Sequence, residues 1–122
     1  MCLSGKSIGE KNIESILRKN NIKFQSEVSF SDLKGIHGGS PRFDFVLYND
    51  TNTIIRIIEF DGEFHYIDSN IWNSQIVKDN DIIKNNYCNK NNIPLVRIPY
   101  WERDKITLDM IMGDQYLCKT EK

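Results

Sequence analysis

An apolar strand that carries two acids is difficult to bury, and this chain has one. In the run Arg56-Ile57-Ile58-Glu59-Phe60-Asp61 the carboxylates stand two residues apart. Successive strand side chains point to opposite faces, so Ile55, Ile57, Glu59 and Asp61 share one face. Taking an ionised carboxylate out of water costs several kcal/mol unless something compensates it, which a plain core strand does not. The run continues as Gly62-Glu63-Phe64-His65-Tyr66, a turn carrying a histidine. A second strand-like run, Arg42-Phe43-Asp44-Phe45-Val46-Leu47, sets Asp44 between two phenylalanines. Asp44, Glu59 and Asp61, from two adjacent strands, are therefore expected to converge on one divalent cation.

Size and charge narrow what surrounds such a site. A chain of 122 residues is expected to form a single domain with one core, without room for a separate specificity domain. Its formal net charge of -1 provides no general basic field, so binding to nucleic acid requires a local patch. Cys2, Cys88 and Cys118 are odd in number and lack CxxC spacing, against both a disulfide framework and a structural zinc site. No segment reaches the roughly 18 apolar residues of a membrane span, and residues 1–6 show no signal-peptide apolar region. A soluble protein of a reducing, intracellular compartment is expected. The abundance of Asn, Ile and Lys points to an AT-rich genome rather than to a chemistry.

Local patterning predicts helix, three strands, helix, strand and a short closing helix. Ser7 and Glu10 have capping-box spacing ahead of the Ile13, Ile16, Leu17 stripe, predicting a helix over 8–19 that ends at Asn20-Asn21. Strands are predicted over 22–30, 42–48 and 53–61, the last two joined as a hairpin by Asn49-Asp50-Thr51-Asn52. The glycines and proline of residues 35–41 mark a loop. Ile76, Asn80, Ile83 and Tyr87 recur at helical spacing over 74–90 and Asn91-Asn92 punctuates the end. Residues 94–98 read as a fourth strand, laid parallel to the third by a right-handed crossover, and 105–112 as the closing helix.

Two acids outside the strands admit two readings each. Glu10 shares a helix face with Ile13 and Leu17 and projects toward the sheet, yet it also suits a capping box with Ser7. Asp81 and Lys84 form either a surface ion pair worth a few tenths of a kcal/mol or part of a site.

Taken in order, Gly9-Glu10, Arg42-Phe43-Asp44-Phe45, the block from Ile58 to Tyr66, the block from Asn80 to Cys88, and Leu95-Val96-Arg97-Ile98-Pro99-Tyr100 resemble one known group. It is the very-short-patch-repair-like branch of the PD-(D/E)XK nuclease superfamily. The closest pattern is that of the small EDxHD homing-type endonucleases common in phage and large-virus genomes. The resemblance covers about residues 4–104. It implies an α/β fold with a restriction-endonuclease-like αβββαβ core, a mixed four-stranded sheet flanked by helices, and a metal-dependent DNA endonuclease.

The resemblance also implies roles. Asp44 matches the acid of the PD half-motif and Glu59 that of the (D/E)XK half-motif, while the lysine expected two residues on is Asp61. The repair-like branch shares that departure and brings in a histidine as general acid or base, for which His65 is the candidate. Glu10 and Asp81 match the first and last acids of EDxHD, and Lys84 is the lysine available to steady charge on the phosphate. Phosphodiester hydrolysis needs an activated water and positive charge at the pentavalent phosphorus. Carboxylates are hard ligands suited to Mg²⁺ or Mn²⁺, and a histidine can move the proton.

For contact with DNA the candidates are Arg42, Arg97, Arg103, Tyr100 and Trp101, with Arg56 and Lys105 alongside. Tyr100 and Trp101 either stack on bases or close the end of the sheet. A homodimer would double the contact and allow both strands to be cut. Beside the nuclease stands a second class, a nucleic-acid-binding or regulatory module that keeps the fold without catalysis.

Overall fold

The computed structural model describes residues 7–33, 41–61 and 71–118, with only the backbone for 71–80. Helix α1 (Ile8–Lys19) starts where Ser7 accepts the Glu10 N–H and Glu10 reaches back to the Ser7 N–H, a complete capping box. It stops at an asparagine in the left-handed region. Asn21 has φ 57°, its N–H bonds to the carbonyl of Arg18, and the N–H of Ile22 reaches the carbonyl of Leu17 at 3.0 Å. Helix α2 (Ile71–Lys90) ends in the same way. Asn92 has φ 58°, and Ile93 bonds back to Cys88 at 2.8 Å. In both, asparagine takes the conformation that glycine usually supplies, and the isoleucine after it turns into the core.

Between the helices lie β1 (Lys23–Ser29), β2 (Arg42–Tyr48) and β3 (Ile54–Asp61); β4 (Leu95–Pro99), a single 3₁₀ turn (Tyr100–Glu102) and α3 (Leu108–Met112) follow α2. The order is the αβββαβ one expected. The β2–β3 hairpin is shaped by the Asn49 side chain, whose Oδ1 accepts from the N–H groups of Thr51 and Thr53. α2 begins at Ile71, three residues before the expected start at 74. α3 starts at Leu108 rather than 105, because the Thr107 hydroxyl caps it by accepting from Met110.

The four strands form one mixed sheet in the order β1-β2-β3-β4, antiparallel except for the parallel β3–β4 pair. The α2 crossover provides the length that parallel pairing needs. Helices cover both faces. Phe45, Leu47, Ile58, Phe60 and Val96 pack on α1 and α3, while Phe43, Val46, Ile57 and Leu95 pack with Cys88 on the α2 side. The outer edge of β4 is partly covered by the chain's own end: Leu117 bridges Val96, and Cys118 donates to Leu95 at 2.8 Å. Cys88 and Cys118 are free thiols. Among the described residues no helix is long and apolar enough to cross a membrane.

Gly9 sets how closely α1 approaches the sheet. A Cβ there would overlap the Cε1 and Cζ edge of the Phe60 ring, which is 9% exposed in the α1-side core. Gly9→Ala is therefore expected to push α1 off β3 and destabilise the fold by about 1 to 3 kcal/mol, the cost of overpacking. Urea denaturation measures this directly; an alanine variant as stable as the parent would mean that the helix does not need this close approach.

Candidate active site

Registered pairing of β2 with β3 runs from Tyr48↔Ile54 to Phe45↔Ile58. Beyond Phe45 the two strands are tied by side chains. The Asp44 N–H donates to Glu59 Oε2 at 2.9 Å, and the Phe60 N–H donates to Asp44 Oδ2 at 2.8 Å. Each acid thus takes a backbone donor of the strand opposite. Alternation breaks at the same place: Phe43 joins Val46 in the α2-side core, where strict period 2 would pair it with Phe45. Across β1, Glu27 lies between the Ser26↔Phe45 and Val28↔Phe43 pairs with φ 53°.

The α2-facing side of β3 carries its charge in the interior, with Glu59 4% and Asp61 7% exposed. Two cations meet these acids. The Lys84 ammonium lies 3.1 Å from Glu59 Oε1 and 5.5 Å from the centre of the Phe43 ring. The Arg97 guanidinium donates to Asp61 Oδ1 at 2.9 Å, with Asp81 Oδ1 at 3.4 Å and Glu59 Oε1 at 3.9 Å. It also donates to Asn85 at 3.2 Å. Asp81, Lys84, Asn85 and Cys88 make the i, i+3, i+4, i+7 stripe by which α2 meets the sheet. Among the described residues no buried side-chain nitrogen or oxygen lacks a hydrogen-bond partner.

Burial raises the proton affinity of both strand acids of the interlock. Burial pushes the Asp44 carboxyl up to about 8, aided by the negative charges of Glu59 and Glu10 and opposed by the Phe60 N–H and Lys84. Burial also raises Glu59, against the pull of Lys84 and Arg97. Glu10 therefore satisfies the capping box and still acts on Asp44 through its charge.

Several expectations meet the geometry directly. Asp44 and Glu59 adjoin, and Lys84 reaches the site from α2 as expected. The third strand acid departs from the expected convergence. Asp61 is held by Arg97, and among the described residues no three His, Cys, Asp or Glu side chains are gathered to hold an ion. Arg97, expected at the DNA surface, has a side chain only 12% exposed and lies among the acids. The remedy for buried charge stands on the neighbouring strand, where Glu59 and Arg97 are register partners. Paired acids on a buried parallel strand were themselves the signal for a cation on β4. Asn85 had no such signal.

Other predicted contact residues remain outside this cluster. Arg42 is exposed and pairs with Glu27 at 3.5 Å, and Arg56 instead donates to the Gly113 carbonyl at the end of α3. Tyr100 packs against the core, edge-on to Trp101 at 5.4 Å, and Trp101 stays 55% exposed. Asn12 of α1 donates to the Arg103 carbonyl at 2.7 Å, fixing this segment beside the first helix. His65, and His37 in the glycine-rich loop, lie outside the described residues.

A family model described as a protein of unknown function (DUF2726) matches residues 38–109, from just before β2 to the start of α3. No curated protein and no solved structure matches the chain.

The Asp44 shift fixes the sign of a pH effect. Folded Asp44 keeps its proton up to about pH 8, whereas an ordinary aspartate loses it near 3.8. The folded state then binds more protons between those values, so this contribution is complete below pH 4 and is lost as pH rises to about 8. In chelator, Asp44→Asn is expected to match the parent at pH 3 and to exceed it by a margin that widens from pH 4 to several kcal/mol at pH 8.5, as the linkage dictates. Parallel stability curves for the two proteins across that interval would show that Asp44 titrates normally.

Proposed function

We propose that this chain, which belongs to the DUF2726 family of proteins of unknown function, is a metal-dependent DNA endonuclease of the PD-(D/E)XK type. Its likeness is to the very-short-patch-repair-like and EDxHD homing-type branch, with the restriction-endonuclease-like core. One observation carries the proposal. Asp44 and Glu59 interlock beyond the registered β2–β3 ladder, and a lysine from α2 sits on Glu59 where the strand lacks its motif lysine. Asp61 occupies that motif position and is paired with Arg97.

Mg²⁺ or Mn²⁺ fits the donor set. Two adjoining carboxylates offer hard oxygen ligands, and a carboxyl held protonated by burial and like charge gains most from a nearby cation. Asp44 and Glu59 would hold it, with Asp61 beside them. When bound, the ion supplies Lewis acidity to water and to the scissile phosphate. The chain's own residues do the rest: Lys84 steadies phosphate charge, and Glu10 and Asp81 border the carboxylates. His65, carried on the sequence alone, moves the proton to or from the reacting oxygen. Arg42, Arg103 and Trp101 are the exposed groups for DNA, and two copies of the chain would cut both strands. Free thiols at Cys88 and Cys118 suit an intracellular setting.

A second reading rests on a different observation. Lys84 and Arg97 already neutralise Glu59 and Asp61, a cluster that is stable without metal and compatible with a non-catalytic nucleic-acid-binding module. Nicking of supercoiled plasmid decides between them. The nuclease requires Mg²⁺-dependent nicking, abolished with Mn²⁺ binding in Asp44→Ala, slowed roughly 10² to 10⁴-fold in His65→Ala, and mostly lost in Glu10→Gln with little change in stability. Wild-type protein that binds DNA but never nicks it supports the module, and undiminished calorimetric Mn²⁺ affinity in Asp44→Ala removes that residue from the metal site.

A further inference from the structure

We infer that Arg97 is a positioning residue that fixes the height of helix α2 against the sheet and so sets the reach of Lys84 to Glu59. The inference rests on the proposed function only for the DNA-binding arm of its test.

The α2 face that meets the sheet is held differently along its length. At its C-terminal end Cys88 is buried at 2% exposure and the Ile93 return locks the helix to the core. Three and seven residues upstream, Asn85 and Asp81 meet a single group, the Arg97 guanidinium. Nη1 lies 3.4 Å from Asp81 Oδ1, Nη2 donates to the Asp81 carbonyl at 3.5 Å, and Nε donates to Asn85 Oδ1 at 3.2 Å. The same group is tied to β3 through Asp61 at 2.9 Å. Its own strand is held from the other side, where the Arg97 N–H donates to the Tyr116 carbonyl at 3.0 Å.

Lys84 lies between Asp81 and Asn85 on that helix. Its ammonium reaches Glu59 at 3.1 Å on a flexible four-carbon stem, so the pairing depends on where the helix backbone stands. A planar guanidinium with five fixed donors can grip two turns of a helix and a strand acid together. A lysine at position 97 is a point charge and cannot. The burial of Arg97 leaves little of it to meet a phosphate, consistent with a positioning role rather than a DNA contact.

The test reads Lys84 accessibility and needs no catalysis. Intact protein is labelled with an amine-reactive ester, and modification at Lys84 is followed by mass spectrometry against the exposed Lys19 and Lys90. Lys84 should be protected in the parent and label roughly tenfold faster in folded Arg97→Gln as the helix segment opens. A smaller rise is expected in Asp81→Asn, which removes only part of the helix-side grip. Unchanged protection in folded Arg97→Gln overturns the inference. If that variant does not fold, unchanged protection in Asp81→Asn does so. In DNA binding, the dependence of log K on log salt should keep its slope in Arg97→Gln; a fall of about one would assign Arg97 to a phosphate and also overturn it. Parent protein with no nuclease activity would remove the proposed function and leave the labelling result standing.

Discussion

The structure depends on an exchange of side-chain for main-chain partners between two strands. Beyond Phe45↔Ile58, β2 and β3 are held by two carboxylates, each accepting an N–H from the other strand. The side-chain oxygens replace backbone carbonyls as acceptors for these N–H groups, so the sheet stays joined here while it presents acids instead of a closed ladder. The break in alternation at Phe43 and the positive φ at Glu27 fall at the same level of the sheet. Gly9 completes the arrangement on the opposite face, letting α1 settle on Phe60, whose N–H is the donor to Asp44.

Charge buried in this way persists only if it is compensated. Glu59 and Asp61 are matched by Lys84 and Arg97, at 3.1 and 2.9 Å, and these cations come from the two elements that enclose the acids, α2 and β4. Buried pairs of this kind add little net stability, because desolvation consumes much of the attraction. Their value is in geometry. A misplaced partner leaves an unpaired charge, so the α2–β4–β3 arrangement is strongly specified. Among the described residues Asp44 has no cation in contact with it: burial and the charge of Glu59 leave it with a raised proton affinity, and that excess is what a divalent cation would relieve.

Much of this was legible in the residues. Ser7 with Glu10 marked the start of α1, and the Asn20-Asn21 and Asn91-Asn92 pairs marked both long-helix ends, because only a few side chains tolerate the left-handed cap. The acids stood out in β2 and β3 because apolar strands rarely carry them. The adjoining of Asp44 and Glu59 follows from the hairpin that sets their strands side by side, and the reach of Lys84 was implied by the family resemblance, since helical spacing alone allowed a surface ion pair with Asp81. The pairing of Asp61 was not legible, since alternation places a side chain on a face without saying what it meets there. Arg97 read as a surface contact because arginine usually is one; only the Glu59↔Arg97 register brings it into the acid cluster. The bridge of Leu117 to Val96 carried no local pattern at all.

The claim beneath all of this is that Asp44 is kept protonated by burial and by Glu59 in a site ready for a cation. Carbon-13 NMR titration of the Asp44 carboxyl, first in chelator and then in saturating Mg²⁺, tests it most directly. Titration near pH 8 in chelator, as the surroundings of Asp44 dictate, and a fall into the ordinary acidic range with Mg²⁺ are the expected results. An Asp44 that titrates near 4 in chelator and is indifferent to Mg²⁺ would contradict the account.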